Sequence, residues 1–249
     1  LSTAWSYSIS SVVLVSLVSL IGIVTIPVSE RRLKNTVFLM VGLATGALFG
    51  DAIIHLLPEA FEKSSNKIGT SLYALAGIFV FFILEKFLGW RHEHVMEHGS
   101  SQHLVGQMNL VADGLHNLID GMLIGASYLV SVRVGLATTI AVVLHEIPHE
   151  IGNFGVLLHA GYTRKRALLF NFLSASLAVV GTIFALVIGG DLGGFSLFML
   201  PLTAGGFIYI AGSDLVPELH KDHDPFKSFL QLITMSMGVG LMLLLLLLE

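Results

Sequence analysis

Eight mostly apolar stretches, each longer than about 20 residues, divide this 249-residue chain almost without remainder. They run roughly over 5–28, 36–61, 68–90, 104–130, 132–160, 166–189, 195–219 and 226–248. A helix of about 20 residues crosses the hydrocarbon of a bilayer. Backbone polar groups find no water there, so each span must satisfy its own hydrogen bonds as a helix. The expected fold is therefore an all-α membrane protein with eight transmembrane helices in one domain, 1–249. Charged residues make up 12% of the chain, mean hydropathy is +0.84, and an ordinary soluble domain carries roughly 25% charge. The first apolar run is too long for a signal-peptide core.

Basic residues orient the bundle. Alternate loops hold Arg31, Arg32 and Lys34; Lys86 and Arg91; Arg164, Lys165 and Arg166; and Lys221 and Lys227. The remaining loops hold only Lys63, Lys67 and Arg133, which makes the count 10 against 3. Basic loops stay cytoplasmic, so both termini are expected outside. An internal echo joins His55-Leu56-Leu57-Pro58-Glu59, late in span two, to Asp214-Leu215-Val216-Pro217-Glu218, late in span seven. These spans run in opposite directions, which predicts inverted copies 1–3 and 6–8 flanking spans 4 and 5. Such repeats place a transporter's substrate site near mid-membrane.

Spans four and five carry the polar load. Span four holds Asp113, His116, Asn117 and Asp120; span five holds His145, Glu146, His149, Glu150 and Asn153. Charge in hydrocarbon costs several kcal/mol by insertion scales, so these groups should face a polar interior. His116 and Asp120 stand four apart on one helix face, as do His145 and His149, and Glu146 and Glu150. There is no cysteine, so a metal here would be held by nitrogen and oxygen. Imidazole and carboxylate suit Zn²⁺ and neighbouring divalent ions. The supply exceeds one tetrahedral ion and points to two adjacent sites sharing Asp120 or His149. Polar bridging between helices is the bland alternative, and a proton relay without metal is another. Pro148 should kink span five, and Gly121, Gly125, Gly152, Gly155 and the Gly42/Gly46/Gly50 series should allow close helix packing.

His116-Asn117-Leu118-Ile119-Asp120-Gly121 resembles the span-four signature of the ZIP metal transporters. His145-Glu146-Ile147-Pro148-His149-Glu150 resembles the span-five signature of their LIV-1-type branch. The resemblance implies a 3+2+3 helix arrangement and movement of Zn²⁺, or Fe²⁺, Mn²⁺ or Cd²⁺, into the cytoplasm by an elevator motion. The metal is then substrate, with no cofactor. By position, one site would comprise His116, Asp120, His145 and His149, and a second Asn117, Asp120, Glu146 and His149, with Glu150 beside them. Asn153 departs from the usual Asp, and Leu118 from a common Phe. The lack of a large extracellular domain suggests a compact prokaryotic form in the bacterial inner membrane.

His145-Glu146-Ile147-Pro148-His149 also fits H-E-x-x-H, the pattern of an intramembrane zinc metalloprotease. Against hydrolysis, the partner ligands precede the motif, Pro148 falls within it, and a second ligand set lies beside it. No catalytic residue is assigned.

Asp51, His55, Glu59 and Glu62 form a stripe that could admit metal from outside, although Glu59 and Glu62 also suit a solvated helix end. Asp214, Glu218, His220 and His223 could receive it inside. The stretch 91–103, with His92, His94, His98 and His103, reads as a cytoplasmic loop able to bind metal weakly. The expected partners are divalent ions and the bilayer; exposed glycine-rich faces permit a homodimer, and no nucleic-acid partner is expected.

Overall fold

The computed structural model describes residues 2–25, 27, 29–97, 102–191, 194–221 and 224–246. All regular structure among them is helical. It forms eight rods: α1 (Ser2–Thr25), α2 (30–63), α3 (Lys67–Glu97), α4 (Gln102–Val130), α5 (Val132–His159), α6 (164–191), α7 (195–219) and α8 (Pro225–Leu245). By length and composition six of these can cross a membrane: α1, α2, α6, α7, α8 and the Lys67–Leu84 part of α3. The two others, α4 and α5, have 29 and 28 residues. They are long enough, and it is their polar residues that separate them from the apolar six.

The rods dock through glycines. A Cβ on Gly46 of α2 would lie 1.9 Å from the Met235 carbonyl oxygen of α8, and one on Gly238 would lie 2.2 Å from that of Leu43. Gly77 of α3 and Gly205 of α7 meet the Leu202 and Ala74 carbonyls in the same reciprocal way, at 2.1 and 1.9 Å. Gly121 of α4 and Gly181 of α6 repeat it against Ala178 and Leu118, at 1.8 and 1.9 Å. Only a residue without a side chain allows backbones this close. Gly42, Gly50 and Gly125 are also contact glycines. Gly152 and Gly155 are not, because a Cβ there meets nothing within 4 Å; close packing at those two is a corrected expectation.

Two rods change pitch at matching places. Asp51–Leu56 in α2 and Ile210–Leu215 in α7 are six-residue π-helices. Each closes with a five-residue backbone bond, Leu57 N–H to Ala52 C=O and Val216 N–H to Ala211 C=O, just before Pro58 and Pro217. A proline offers no N–H and crowds the carbonyl four residues back, and a wider turn relieves both problems. The five-residue echo in the sequence thus has a shared backbone shape. In α5 the helix continues past Pro148 to His159.

The stretch expected as a loop over 91–103 is largely helix, since α3 runs to Glu97 and α4 begins at Gln102. His98 lies outside the described residues, as do the side chains of His92, His94 and His103.

Outer faces are apolar. Leu72, Phe79, Val180 and Leu232 are each more than half exposed, as bilayer-facing side chains must be. The interior holds the polar groups of α4 and α5.

Candidate metal centre

The positions of α4 and α5 are fixed by a one-residue turn. Ser131 is extended (φ −163°, ψ 159°), and its hydroxyl accepts the Val134 N–H at 3.1 Å, capping α5. The two helices are thereby returned antiparallel, and their polar stripes face each other.

His116 and Asp120 from α4 meet His145 and Glu146 from α5. His145 Nε2 lies 3.1 Å from Asp120 Oδ2, 3.3 Å from Glu146 Oε1 and 3.4 Å from His116 Nε2. His116 Nε2 lies 3.3 Å from Glu146 Oε1 and 3.6 Å from Asp120 Oδ2. Four ligand atoms around a tetrahedral zinc, at about 2.0–2.1 Å each, stand about 3.3 Å from one another. Five of the six pairs in this group therefore already have the spacing of a tetrahedral shell.

Protonation supports the same reading. His145 Nδ1 is 3.2 Å from the Ala141 carbonyl oxygen. A carbonyl can only accept, so Nδ1 carries a hydrogen here, and in the neutral ring Nε2 then presents its lone pair to the group. Apart from the imidazole nitrogens, no donor among the described residues reaches the carboxylate oxygens of Asp120 or Glu146, and all four oxygens are buried. With both rings neutral and their Nε2 lone pairs turned inward, two carboxylates and two imidazoles converge on one point and repel one another. A dication at their centre removes that cost.

His149 sits one turn along. Its Nδ1 is 3.4 Å from Glu146 Oε1 and 3.9 Å from Asp113 Oδ1, and its ring centroid is 4.6 Å from that of His116. Side-chain exposure is 35% for His149 and 20% for His116, against at most 2% for Asp120, His145 and Glu146. The centre is therefore reached from the His149 side. Asn117 is fully buried; its amide nitrogen donates to the Asp113 backbone and carboxylate, both at 3.1 Å, and its Oδ1 has no donor among the described residues.

Helix α6 supplies groups that the sequence did not single out. Asn171 donates to Glu150 Oε2 at 2.5 Å and to the Ser19 carbonyl at 3.3 Å, where α1 tightens into a 3₁₀ turn. Ser174 donates to Asp113, which also accepts Asn153 at 2.6 Å; Asn109 donates in turn to Asn153 at 3.2 Å. Asn171 and Ser174 stand three apart on an otherwise ordinary helix start, and only tertiary packing turns them inward. Glu150 thus faces α6, with its other oxygen buried and undonated.

Asp113 is the acceptor that fixes Asn117, Asn153 and Ser174 at once. Asp113→Ala leaves Asn153 without its acceptor, while Asn117 keeps the backbone carbonyl of residue 113 and Ser174 that of Asn171. A buried donor left unpaired costs about 1–3 kcal/mol, so the expected result is a destabilisation of about 2 kcal/mol, seen as a lowered melting temperature of the purified protein; an unchanged melting temperature contradicts it.

The remaining sequence candidates lie apart from this group. Asp51 and His55 are buried and face each other at 3.4 Å, on the π-helical turn of α2. Glu59 pairs with Lys63 at 3.1 Å and Glu62 is exposed. Asp214, Glu218 and His220 are exposed, Glu218 pairs with Lys221 at 2.5 Å, and His223 lies outside the described residues.

Comparison with known proteins agrees with this chemistry. The ZIP zinc transporter family profile matches residues 2–103 and 89–246. Zinc transporter ZIP13 of Pongo abelii is 37% identical over 220 residues, covering 82% of this chain and 65% of its own. Zinc transporter SLC39A7 of Rattus norvegicus is 28% identical, covering 97% of this chain and 72% of its own. Zinc transporter zipt-7.1 of Caenorhabditis briggsae is 31% identical, covering 96% and 78%. With the family profile reaching almost end to end and a relative 37% identical over 82% of the chain, the chain belongs to the ZIP zinc transporter family.

Proposed function

We propose that this integral membrane protein carries a divalent metal ion, Zn²⁺ foremost and Fe²⁺, Mn²⁺ or Cd²⁺ by the same ligands, into the cytoplasm. The observation that carries the reading is the near-tetrahedral spacing of His116, Asp120, His145 and Glu146. Asn117, Glu146 and His149 extend it to a second, adjacent position, with Glu150 beyond. Oxygen and neutral nitrogen ligands compete with protons for metal and hold it less tightly than thiolates would, which suits capture followed by release. The protease reading is not favoured: each relative named above is called a transporter, and four ligands around one ion leave no open position for a catalytic water.

In this reading all eight rods span the membrane, both termini face outward, and the helices form a 3+2+3 inverted repeat. The glycine contacts support it. If α1–α3 correspond to α6–α8, the α2–α8 pair exchanges with the α7–α3 pair, and these two share one reciprocal glycine device. The matching π-turns of α2 and α7 support it again. Side-chain bonds tie α1, α4, α5 and α6 together, through Ser11–Tyr128, Ser16–Ala175, Thr182–Gly121 and Asn171–Glu150. These four helices carry the ligands and form the moving block of an elevator, with α2, α3, α7 and α8 as its scaffold. Asp51, His55 and Glu59 lie on the outer access route, Asp214, Glu218, His220 and His223 on the release route, and the His-containing stretch 91–103 on the cytoplasmic side. In this reading the protein lies in the bacterial inner membrane, with its exposed faces open to a homodimer.

Proteoliposomes with a trapped fluorescent zinc indicator test the central reading. External Zn²⁺ should raise the signal at least tenfold faster than in protein-free vesicles, and His116→Ala should abolish the difference. A wild-type protein that leaves the signal at the protein-free rate contradicts it.

A further inference from the structure

The facing stretches of α4 and α5 carry the carboxylates of Asp113, Asp120, Glu146 and Glu150, and the donors around them differ in kind. Both oxygens of Asp113 are taken, Oδ1 by Asn117 and Asn153 and Oδ2 by Ser174. The oxygens of Asp120 and Glu146 meet no donor among the described residues other than imidazole nitrogens. Glu150 is intermediate. Its Oε2 accepts an N–H from Asn171 of α6 at 2.5 Å, while Oε1 is buried and has no donor among the described residues. Asp113 is thus braced at both oxygens, whereas Glu150 is fixed at one and bare at the other.

Asn171 is itself fully buried, and its amide is held from two sides. Besides Glu150, its Nδ2 reaches the backbone carbonyl of Ser19 at 3.3 Å, in the 3₁₀ turn Ser19–Ile21 of α1. That carbonyl can only accept, so the amide nitrogen must face it and the group cannot turn over. Its Oδ1 points elsewhere and has no donor among the described residues. Glu150 follows Glu146 by one helical turn on α5, and the two carboxylates act on each other. The clamped side chain therefore stands beside a ligand of the centre.

We infer that Asn171 is the positioning residue of the second ion position: it holds Glu150 by Oε2 so that Oε1 is presented to a divalent ion beside Glu146. The inference rests on the two-position reading above. Carboxylates that bind metal are themselves oriented by hydrogen bonds, because a side chain ordered in advance need not be ordered when the ion arrives. A neutral amide does this without bringing a positive charge that would repel the ion. Asn171, Glu150 and Ser19 stand on three helices of the moving block, so the clamp travels with the ion it serves.

The test is a titration of the purified full chain with Zn²⁺ against a competing fluorescent indicator, read as two dissociation constants. Loss of a residue that supports a metal ligand costs about ten- to hundredfold in affinity, so Asn171→Ala should weaken one zinc step about 30-fold and leave the other within about threefold. Asn171→Leu, which keeps the volume and removes the amide, should do the same, and it decides the matter if the alanine variant does not fold. Asn171→Gln keeps an amide and should recover most of the loss. Glu150→Gln should weaken the same step. Adding Asn171→Ala to it should cost no more than about a further threefold, because a residue that acts through another has nothing left to position. A purely structural Asn171 would weaken both steps alike or add its full effect to that of Glu150→Gln. Either of those results overturns the inference, as does unchanged affinity in the alanine and leucine variants or a glutamine variant as weak as alanine. When the wild type shows two zinc steps, such a failure falls on Asn171 alone; a wild type with one step overturns the second position and this inference together.

Discussion

Asp120→Asn is expected to lower the initial rate of zinc uptake by about 100-fold. Asp120, like Glu146, is a carboxylate that touches both rings, through Oδ2 at 3.1 Å from His145 and 3.6 Å from His116. The substitution keeps its volume, removes one negative charge and places an amide N–H where an oxygen had faced lone pairs. Loss of a supporting residue outside a metal's direct ligands costs about ten- to hundredfold, so loss of a ligand shared by two imidazoles falls at the upper end or beyond. Lys165→Gln is the control. Lys165 is exposed at the start of α6, where a surface charge contributes at most about 1 kcal/mol. Uptake by that variant should stay within about threefold of wild type. Equal rates for Asp120→Asn and wild type in proteoliposomes would remove Asp120 from the ion's path.

Gly121→Val should be the most disruptive single change to the fold near the centre. The added Cβ would lie 1.8 Å from the Ala178 carbonyl oxygen, and backbone cannot step aside as a flexible side chain can. Helices α4 and α6 would have to part, which also disturbs the Gly181–Leu118 contact facing it, 1.9 Å by the same measure. Overpacking of this kind costs about 3 kcal/mol or more. Because His116 and Asp120 sit within five residues of Gly121, metal binding should fall with stability. Gly155→Ala is the opposite case. It meets nothing within 4 Å, and on a helix the change should stabilise by about 0.5 kcal/mol. Melting temperatures of the two purified variants check both; a Gly121→Val protein that melts with the wild type would mean that the α4–α6 contact is not tight.

Much of this was legible in the residues. Long apolar runs specify helical rods because a bilayer allows little else, and most observed helix ends follow the hydropathy, although α2 begins at Glu30 rather than 36 and α3 runs to Glu97 rather than 90, where polar residues extend the helices beyond the apolar run. The ligand stripe of α4 and α5 was legible because i, i+4 spacing fixes which groups share a face. Less legible was how the two stripes would mesh. His149 lies one turn below His145 on the same face, yet Glu146 completes the four-atom group, because the approach of α4 is set by Gly121 and the Ser131 turn. The π-turns of α2 and α7 left no mark beyond the following proline. Asn171 and Ser174 looked like ordinary polar residues at a helix start, and their contacts to Glu150 and Asp113 exist only once α6 packs on α4 and α5. Gly152 and Gly155 looked like contact glycines from spacing alone and face open space, since small-residue spacing names a face without saying what covers it.

The central claim, that two facing helices hold a divalent ion through two imidazoles and two carboxylates, is tested most directly by zinc-edge X-ray absorption on the zinc-loaded purified protein. The expected spectrum has a first shell of nitrogen and oxygen at about 2.0–2.1 Å with outer-shell scattering from two imidazoles, and that scattering is lost in a His116→Ala, His145→Ala double variant. A zinc-loaded wild-type spectrum without imidazole scattering, or one that the double variant leaves intact, would contradict it.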